Sequence, residues 1–235
     1  MTAFAVFAIF SYPLHVTQFQ IMFPILLAAC FIDGMPHPAK TPQIAVLLAV
    51  LIMLSILAVK HMPAIAQRKR SEIAWKKVER WHQMEYYEYV AEDCDSLLPY
   101  MKHDRYFLFA YGQSLNKIGN YEKSDSILKL GTGISSDPMF WNVMGNNSMA
   151  LGRYREAEER YKHAFYMVPN RLYPLTLLTK LYHTEGDTAR FLDMADMVET
   201  FVPKVENANT ERLRAEIREI REGYYNEAVM SDEKQ

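Results

Sequence analysis

The spacing of charged residues divides the chain into an apolar first part and a water-facing remainder. Between Met1 and Val59 the only formally charged residues are Asp33 and Lys40, whereas from Lys60 onward charges recur every few positions. Three apolar segments lie in the first part, over residues 2–10, 16–32 and 42–59. A helix crosses the hydrocarbon of a bilayer with roughly 20 residues at about 1.5 Å each. The pattern therefore predicts a transmembrane helical region over residues 1–60, with two to three membrane-spanning helices.

The three segments differ in length. Segment 42–59 is long enough to span a bilayer, and segment 16–32 is marginal and carries Pro24. Segment 2–10 is too short, which leaves three explanations: one half of a kinked helix with 16–32, a re-entrant stub, or the tail of a helix whose beginning is absent. We favour the last, because a stub would leave backbone groups unsatisfied in lipid. The chain is then expected to be the C-terminal portion of a longer protein.

The water-facing part contains an internal repeat. The stretch FAYGQSLNKIGNYEKSDSILKLG at 109–131 aligns with NVMGNNSMALGRYREAEERYKHA at 142–164, with Gly112 over Gly145 and Gly119 over Gly152. Each offset is 33, and a period of 33–34 with this pattern is typical of the tetratricopeptide repeat (TPR), a helix–turn–helix unit. Gly145 is expected where two helices cross closely, and Gly152 in the left-handed turn that ends a helix. Asp137-Pro138 predicts the start of a helix.

These patterns predict an all-α chain in which the membrane region is followed by a TPR-type solenoid of about three helix pairs. A juxtamembrane helix and a degenerate first pair are expected over 61–104. TPR units follow within 105–208, over 105–137, 138–171 and 172–205. The apolar stripe in NTERLRAEIREIREG predicts a capping helix over 209–223, and residues 224–235 are expected to form a flexible tail.

The first helix of each TPR pair lines the concave face, so the period also predicts which residues line the groove. The nine predicted positions are Tyr106, Phe109, Gln113, Asn116, Asn142, Asn146, Thr176, Lys180 and His183. Amides and aromatic rings along a groove suit a peptide backbone or a sugar, and they also suit simple solvation. A clamp for a peptide carboxylate needs several basic residues, and only Lys180 is projected into this groove.

No constellation of residues predicts catalysis. The seven histidines make no pair at zinc-ligand spacing, and no glycine-rich loop resembles a phosphate cradle. Cys30 and Cys94 lie in such different surroundings that neither a disulfide nor a metal site is expected. We therefore expect no catalytic, cofactor or metal residues in this chain. The net charge of −2 gives no indication of a nucleic-acid partner.

Four stretches together resemble the C-terminal end of O-antigen ligase/polymerase-type membrane proteins: SYPLHVTQFQIMFPILL at 11–27, FLFAYGQSLNKIGNYEKS at 107–124, SSDPMFWNVMGNNSMALGRYREAEERY at 135–161 and PNRLYPLTLLTKLY at 169–182. That family consists of polytopic glycosyltransferases that handle undecaprenyl-linked sugars, and some members carry TPR tails. The resemblance implies an inner-membrane location and a role in surface-polysaccharide assembly. The family's catalytic residues lie in a loop that this chain lacks, so whether the whole protein is an enzyme stays open.

The resemblance implies a TPR tail that binds protein partners, with the lipid-linked glycan machinery among them. The alternative is a complete, small membrane-tethered TPR adaptor with no link to glycan transfer. Family topology puts the tail on the periplasmic side. The basic residues that follow segment 42–59, from Lys60 to Arg80, favour the cytoplasmic side by the positive-inside tendency. Because earlier helices usually set orientation, we expect the tail on the periplasmic side.

Overall fold

The computed structural model describes the backbone of residues 41–232 and the side chains of residues 52, 55, 56 and 60–224. The predicted segments 2–10 and 16–32 lie outside the described residues. Segment 42–59 lies within a described helix, but most of its side chains do not belong to the described set. Among the residues that are described, no helix carries an apolar run long enough to cross a membrane. The chain divides into two units, 1–63 and 64–235.

Within residues 41–232 the chain forms nine helices and no strand. In chain order they are α1 (Thr41–Gln83), α2 (Tyr87–Met101), α3 (Arg105–Lys117), α4 (Tyr121–Thr132), α5 (Pro138–Ala150), α6 (Tyr154–Met167), α7 (Leu172–Glu185), α8 (Thr188–Thr200) and α9 (Ala208–Asp232). Two of these helices differ from the predicted bounds. Helix α1 runs unbroken through Pro63, and α9 continues beyond Gly223 into the segment predicted as a flexible tail.

The helices of the second unit stack as antiparallel pairs, each packing on its neighbours in the chain. The three pairs predicted from the repeat are α3/α4, α5/α6 and α7/α8, and α9 packs on both helices of the last pair. The backbones of the first helices also approach one another in series, α3 with α5 and α5 with α7, whereas α4, α6 and α8 are bridged only by long side chains such as Arg160 to Asp125. The first helices are thus closer together and form the inner row of the solenoid, as the repeat predicts.

The close approach of paired helices depends on a glycine, as expected from the sequence. A Cβ atom on Gly145 of α5 would lie 2.3 Å from Cε1 of Tyr161 on α6, far inside van der Waals contact. Gly152 ends the same helix with φ of 71°, and the N–H of Arg153 then donates to the carbonyl of Ser148 at 2.8 Å. This arrangement satisfies helix-terminal carbonyls that would otherwise lack partners. At the other end of α5, the Asp137 side chain accepts from the N–H of Met139.

Among the described side chains, those that form the apolar core of the solenoid lie within residues 64–224. Its buried side chains run from Trp75 on α1 to Ile217 on α9 and form three clusters along the stack. Trp75 itself packs edge-on against Phe107 of α3, with ring centroids 5.2 Å apart. Because the described side chains of this unit include these three clusters and the helix pairs that enclose them, we expect residues 64–235 to fold on their own.

Candidate protein-binding groove

The inner row is most open at its N-terminal end, where α3 presents an exposed aromatic side chain. Tyr106 is 64 % exposed, and its hydroxyl oxygen accepts a 2.7 Å hydrogen bond from Arg105. One turn further, Phe109 is half-buried and packs edge-on against Phe140 of α5, with centroids 5.3 Å apart. Phe109 therefore presents only part of its ring to the groove, and the rest of the ring joins two neighbouring helix pairs.

Two predicted groove amides form hydrogen bonds between successive helix pairs. The Gln113 Oε1 atom lies 2.9 Å from Nε2 of His82 on α1. The Asn116 amide donates to Oδ1 of Asn147 on α5 at 2.8 Å. Both groove residues are half-buried, so part of each side chain is accessible to solvent. The structure thus gives these residues a role between the repeats that the sequence pattern did not indicate.

The two asparagines predicted on α5 occupy different environments. Asn146 is half-buried and its Oδ1 accepts a 2.7 Å hydrogen bond from the Tyr161 hydroxyl. Asn142 is only 1 % exposed, and its amide nitrogen lies 3.6 Å from Sδ of Met139. Thr176 on α7 is equally buried and donates to the carbonyl of Tyr173. Asn142 and Thr176 were predicted to line the groove; because helix packing covers both, neither side chain presents a surface to a partner.

In the third pair, the predicted groove residues are in contact with the chain's own last helix. Lys180 forms an ion pair with Glu216 of α9. Nδ1 of His183 lies 2.8 Å from the hydroxyl oxygen of Tyr224, also on α9. The groove in this part of the solenoid is therefore occupied by α9, and the accessible inner row is confined to the first two pairs. The single basic residue projected into the groove is already neutralised.

A buried polar network behind the inner row was not predicted. Arg160 of α6, 11 % exposed, donates to both carboxylate oxygens of Asp125 on α4 at 2.6 and 2.7 Å and to the carbonyl of Met144 at 2.7 Å. Asn147, fully buried, donates to Ser124 at 2.9 Å. The only indication in the sequence is that Ser124 replaces the alanine found at the equivalent position of the next repeat, Ala157; its hydroxyl donates to the carbonyl of Gly112 at 2.7 Å.

The pKa values of several side chains in the solenoid are shifted by the way the helices pack. Burial raises the pKa of Tyr161, which lies beneath the crossing at Gly145. Burial would also raise the pKa of Asp95 on α2, but hydrogen bonds from Lys123 and Tyr111 outweigh it and lower that pKa. These shifted groups lie at helix contacts and not in the open part of the groove. Within the described residues, no cluster of His, Cys, Asp and Glu side chains has the arrangement of a metal site.

Comparison with known proteins identifies the fold. No family model matches the chain, and no curated protein matches it. A solved TPR protein from Parabacteroides merdae is 16 % identical, with a TM-score of 0.50 over 72 % of this chain and 70 % of its own. A putative kinesin light chain from Podosopora anserina, with nearly identical TPR-like repeats, is 13 % identical, with a TM-score of 0.50 over 69 % of this chain and 92 % of its own. A structure of MamA is 12 % identical, with a TM-score of 0.49 over 67 % of this chain and 95 % of its own. The likeness to the first two establishes the fold alone: the described helices of the second unit form a TPR-like solenoid.

Proposed function

We propose that the solenoid is a protein-interaction module that binds an extended segment of a partner along the inner row of its first two pairs. The observation that carries this proposal is the exposed ring of Tyr106 at the entrance of that row, in series with the half-buried Gln113, Asn116 and Asn146. Such a surface offers one aromatic anchor and several amides, which can pair with a peptide backbone. Because Lys180 is engaged with Glu216, we do not propose recognition of a free carboxylate.

Site-specific photo-crosslinking in the native cell tests this proposal. A photoreactive phenylalanine analogue at Tyr106 should give a discrete adduct, and the same adduct should be lost when Asn146→Ala and Gln113→Ala are combined. The matched control is Tyr166 on α6, which is 73 % exposed on a second helix and should give no such adduct. Equal crosslinking at both tyrosines, or none at Tyr106, would contradict a partner in the inner row.

We further propose that the first part of the chain attaches the solenoid to the inner membrane. The support is the sequence of residues 42–59, which lies in α1 and carries no charged residue. The full chain should then stay in the membrane fraction through alkaline extraction, while residues 64–235 alone should stay in solution. Release of the full chain by alkali would refute the attachment. A reporter active in only one compartment, fused after Gln235, tests the periplasmic location that we propose for the solenoid.

The resemblance stated for residues 11–27, 107–124, 135–161 and 169–182 supports a finer proposal. The chain is then the C-terminal portion of an O-antigen ligase/polymerase-like protein, and its solenoid recruits other components of surface-polysaccharide assembly. Replacing the gene with one that ends before residue 64 should shorten or deplete the surface polymer. A normal polymer, together with a retained Tyr106 adduct in the unaltered strain, would favour the adaptor with no link to glycan transfer.

A further inference from the structure

Two faces of α1 differ sharply within the solenoid unit. Ser71, Trp75, Val78 and His82 recur at intervals of four, three and four residues, which places them on one side of the helix. Ser71, Trp75 and Val78 are buried, and His82 is half-buried and lies against Gln113. This side attaches α1 to the rest of the stack.

None of the helices within residues 41–232 packs on the opposite side. Residues 65, 69, 73, 76 and 80 recur at the same helical spacing and define what we call the outer stripe: Ile65, Lys69, Ile73, Lys76 and Arg80. All five side chains are exposed, including Ile65 at 61 % and Ile73 at 63 %. The stripe therefore combines isoleucine and basic side chains on one solvent-facing surface.

The basic residues of α1 differ from those of the other helices in their partners. Seven lie between Lys60 and Arg80, against two acidic residues, Glu72 and Glu79. Among the described residues, only Arg68 and Lys69 of this group form ion pairs, both with Glu72 of the same helix. Several basic residues elsewhere bridge separate helices, as Lys123 does to Asp95 and Arg190 does to Glu158. The charge on α1 is thus not used to hold the solenoid together.

Aromatic side chains lie near the C-terminal end of α1 and the start of α2. The Lys77 ammonium lies 4.3 Å from the centroid of the half-buried Trp81 ring, and that ring is 5.6 Å from Tyr89 on α2. Tyr86 and Tyr89 are both more than half exposed. Tryptophan and tyrosine with nearby lysines are favoured at the boundary between headgroups and acyl chains, since the rings are apolar and their polar ends stay hydrated.

We infer that the outer stripe of α1 binds the anionic phospholipid surface of a bilayer. Clustered basic side chains concentrate near anionic headgroups, and isoleucine and aromatic rings can enter the interface beneath them. A nucleic acid would use the charge but leave the apolar side chains without a partner. The inference goes beyond the membrane attachment proposed above and does not depend on it, because the whole outer stripe lies within residues 64–235. Binding would hold the solenoid against the membrane surface.

Sedimentation of residues 64–235 with lipid vesicles tests this inference. The domain should bind vesicles in which about a third of the lipid is phosphatidylglycerol, and not vesicles of phosphatidylcholine alone. Replacing Lys69, Lys76 and Arg80 with glutamine should weaken binding by about 100-fold, at about fivefold for each charge. The matched control replaces Lys117, Lys129 and Arg155 with glutamine, which removes the same charge from exposed residues without ion pairs and should leave binding within about twofold.

A second variant distinguishes a bilayer from another polyanion. Ile65→Ser with Ile73→Ser keeps every charge but should weaken vesicle binding by about tenfold, since less apolar surface enters the interface. Unchanged vesicle binding by this variant would overturn the inference, whatever its binding to duplex DNA. Absence of binding to the anionic vesicles, or equal loss in both charge variants, would overturn it. Because this domain lacks residues 1–63, none of these results depends on whether the full chain resists alkaline extraction.

Discussion

The side-chain amide of Asn116 on α3 donates a 2.8 Å hydrogen bond to Oδ1 of Asn147 on α5, thirty-one residues along the chain. Asn116 faces the inner row, whereas Asn147 is fully buried and donates in turn to Ser124 on α4. One hydrogen-bonded chain therefore runs from the accessible groove through the junction of the first two pairs. A partner that binds Asn116 contacts a residue whose position depends on how these pairs pack.

Asn147→Ala should destabilise residues 64–235 by about 2–3 kcal/mol in a urea unfolding experiment. The substitution removes the group that accepts the hydrogen bond from Asn116 and the group that donates to Ser124. Polar groups left without a partner in a buried site lower the free energy of unfolding. Asn120→Ala is the matched control, since Asn120 is exposed and its side chain makes no capping hydrogen bond. It should change stability by less than about 0.5 kcal/mol. Similar losses for the two variants would contradict a buried network at this junction.

Gly145→Ala and Gly223→Ala should change stability in opposite directions. A Cβ at position 145 would lie 2.3 Å from the Tyr161 ring, so the helices must separate and stability should fall by about 1–3 kcal/mol. Position 223 lies in α9 with nothing within 4 Å of an added Cβ. Alanine there should add about 0.5–1 kcal/mol, because glycine is the poorer helix former. Thermal unfolding of both variants measures the difference, and a neutral Gly145→Ala would contradict the close crossing.

Arg160→Met should cost far more stability than Arg153→Met, although both arginines bridge α4 and the α6 region. Arg160 is 11 % exposed and forms an ion pair with Asp125, which is 25 % exposed. Its loss would leave a partly buried carboxylate without its partner, so we expect the free energy of unfolding to fall by about 3 kcal/mol. Arg153 is 52 % exposed and pairs with Glu122, itself 74 % exposed, so we expect less than about 1 kcal/mol. Chemical denaturation of the two variants makes the comparison. An equal loss of stability in the two variants would show that the burial of the Arg160–Asp125 pair does not determine how much this pair stabilises the fold.

The solenoid should lose stability as pH falls below about 4.5, through two carboxylates at helix contacts. Burial would raise the pKa of Glu158 and Asp95. Hydrogen bonds from Lys162 and Tyr182 to Glu158, and from Lys123 and Tyr111 to Asp95, outweigh burial and lower both values. A carboxylate whose pKa is lower in the folded state contributes stability above its ordinary pKa, and that contribution disappears as pH falls through the folded value.

Urea midpoints measured between about pH 6 and about pH 3 test this dependence. The parent domain should lose stability steadily over that range. The Asp95→Asn, Glu158→Gln double variant should start from a lower value and show a shallower slope, because the two groups no longer bind protons on unfolding. Parallel slopes for parent and variant would exclude these two residues as the source of the acid sensitivity.

The sequence alone determined the helix pairs of the solenoid. Glycines and prolines at a period of 33–34 mark where helices cross and end, and these local requirements are visible residue by residue: Gly145 meets the Tyr161 ring, and Gly152 takes φ of 71°. The inner row also followed from the period, since α3, α5 and α7 contact one another in series. Tyr106, the most open of the predicted groove residues on α3, lies where the period predicts an exposed side chain.

Only the tertiary structure decided which inner-row residues are accessible. Asn142 and Thr176 fit the groove positions in sequence, but packing between helices buries them; Lys180 and His183 are engaged by α9. A repeat period fixes the direction of a side chain from its own helix axis. It cannot indicate how near the next helix lies or where a distant helix returns. Those distances depend on contacts between residues far apart in the chain, so the open groove is a property of the assembled stack.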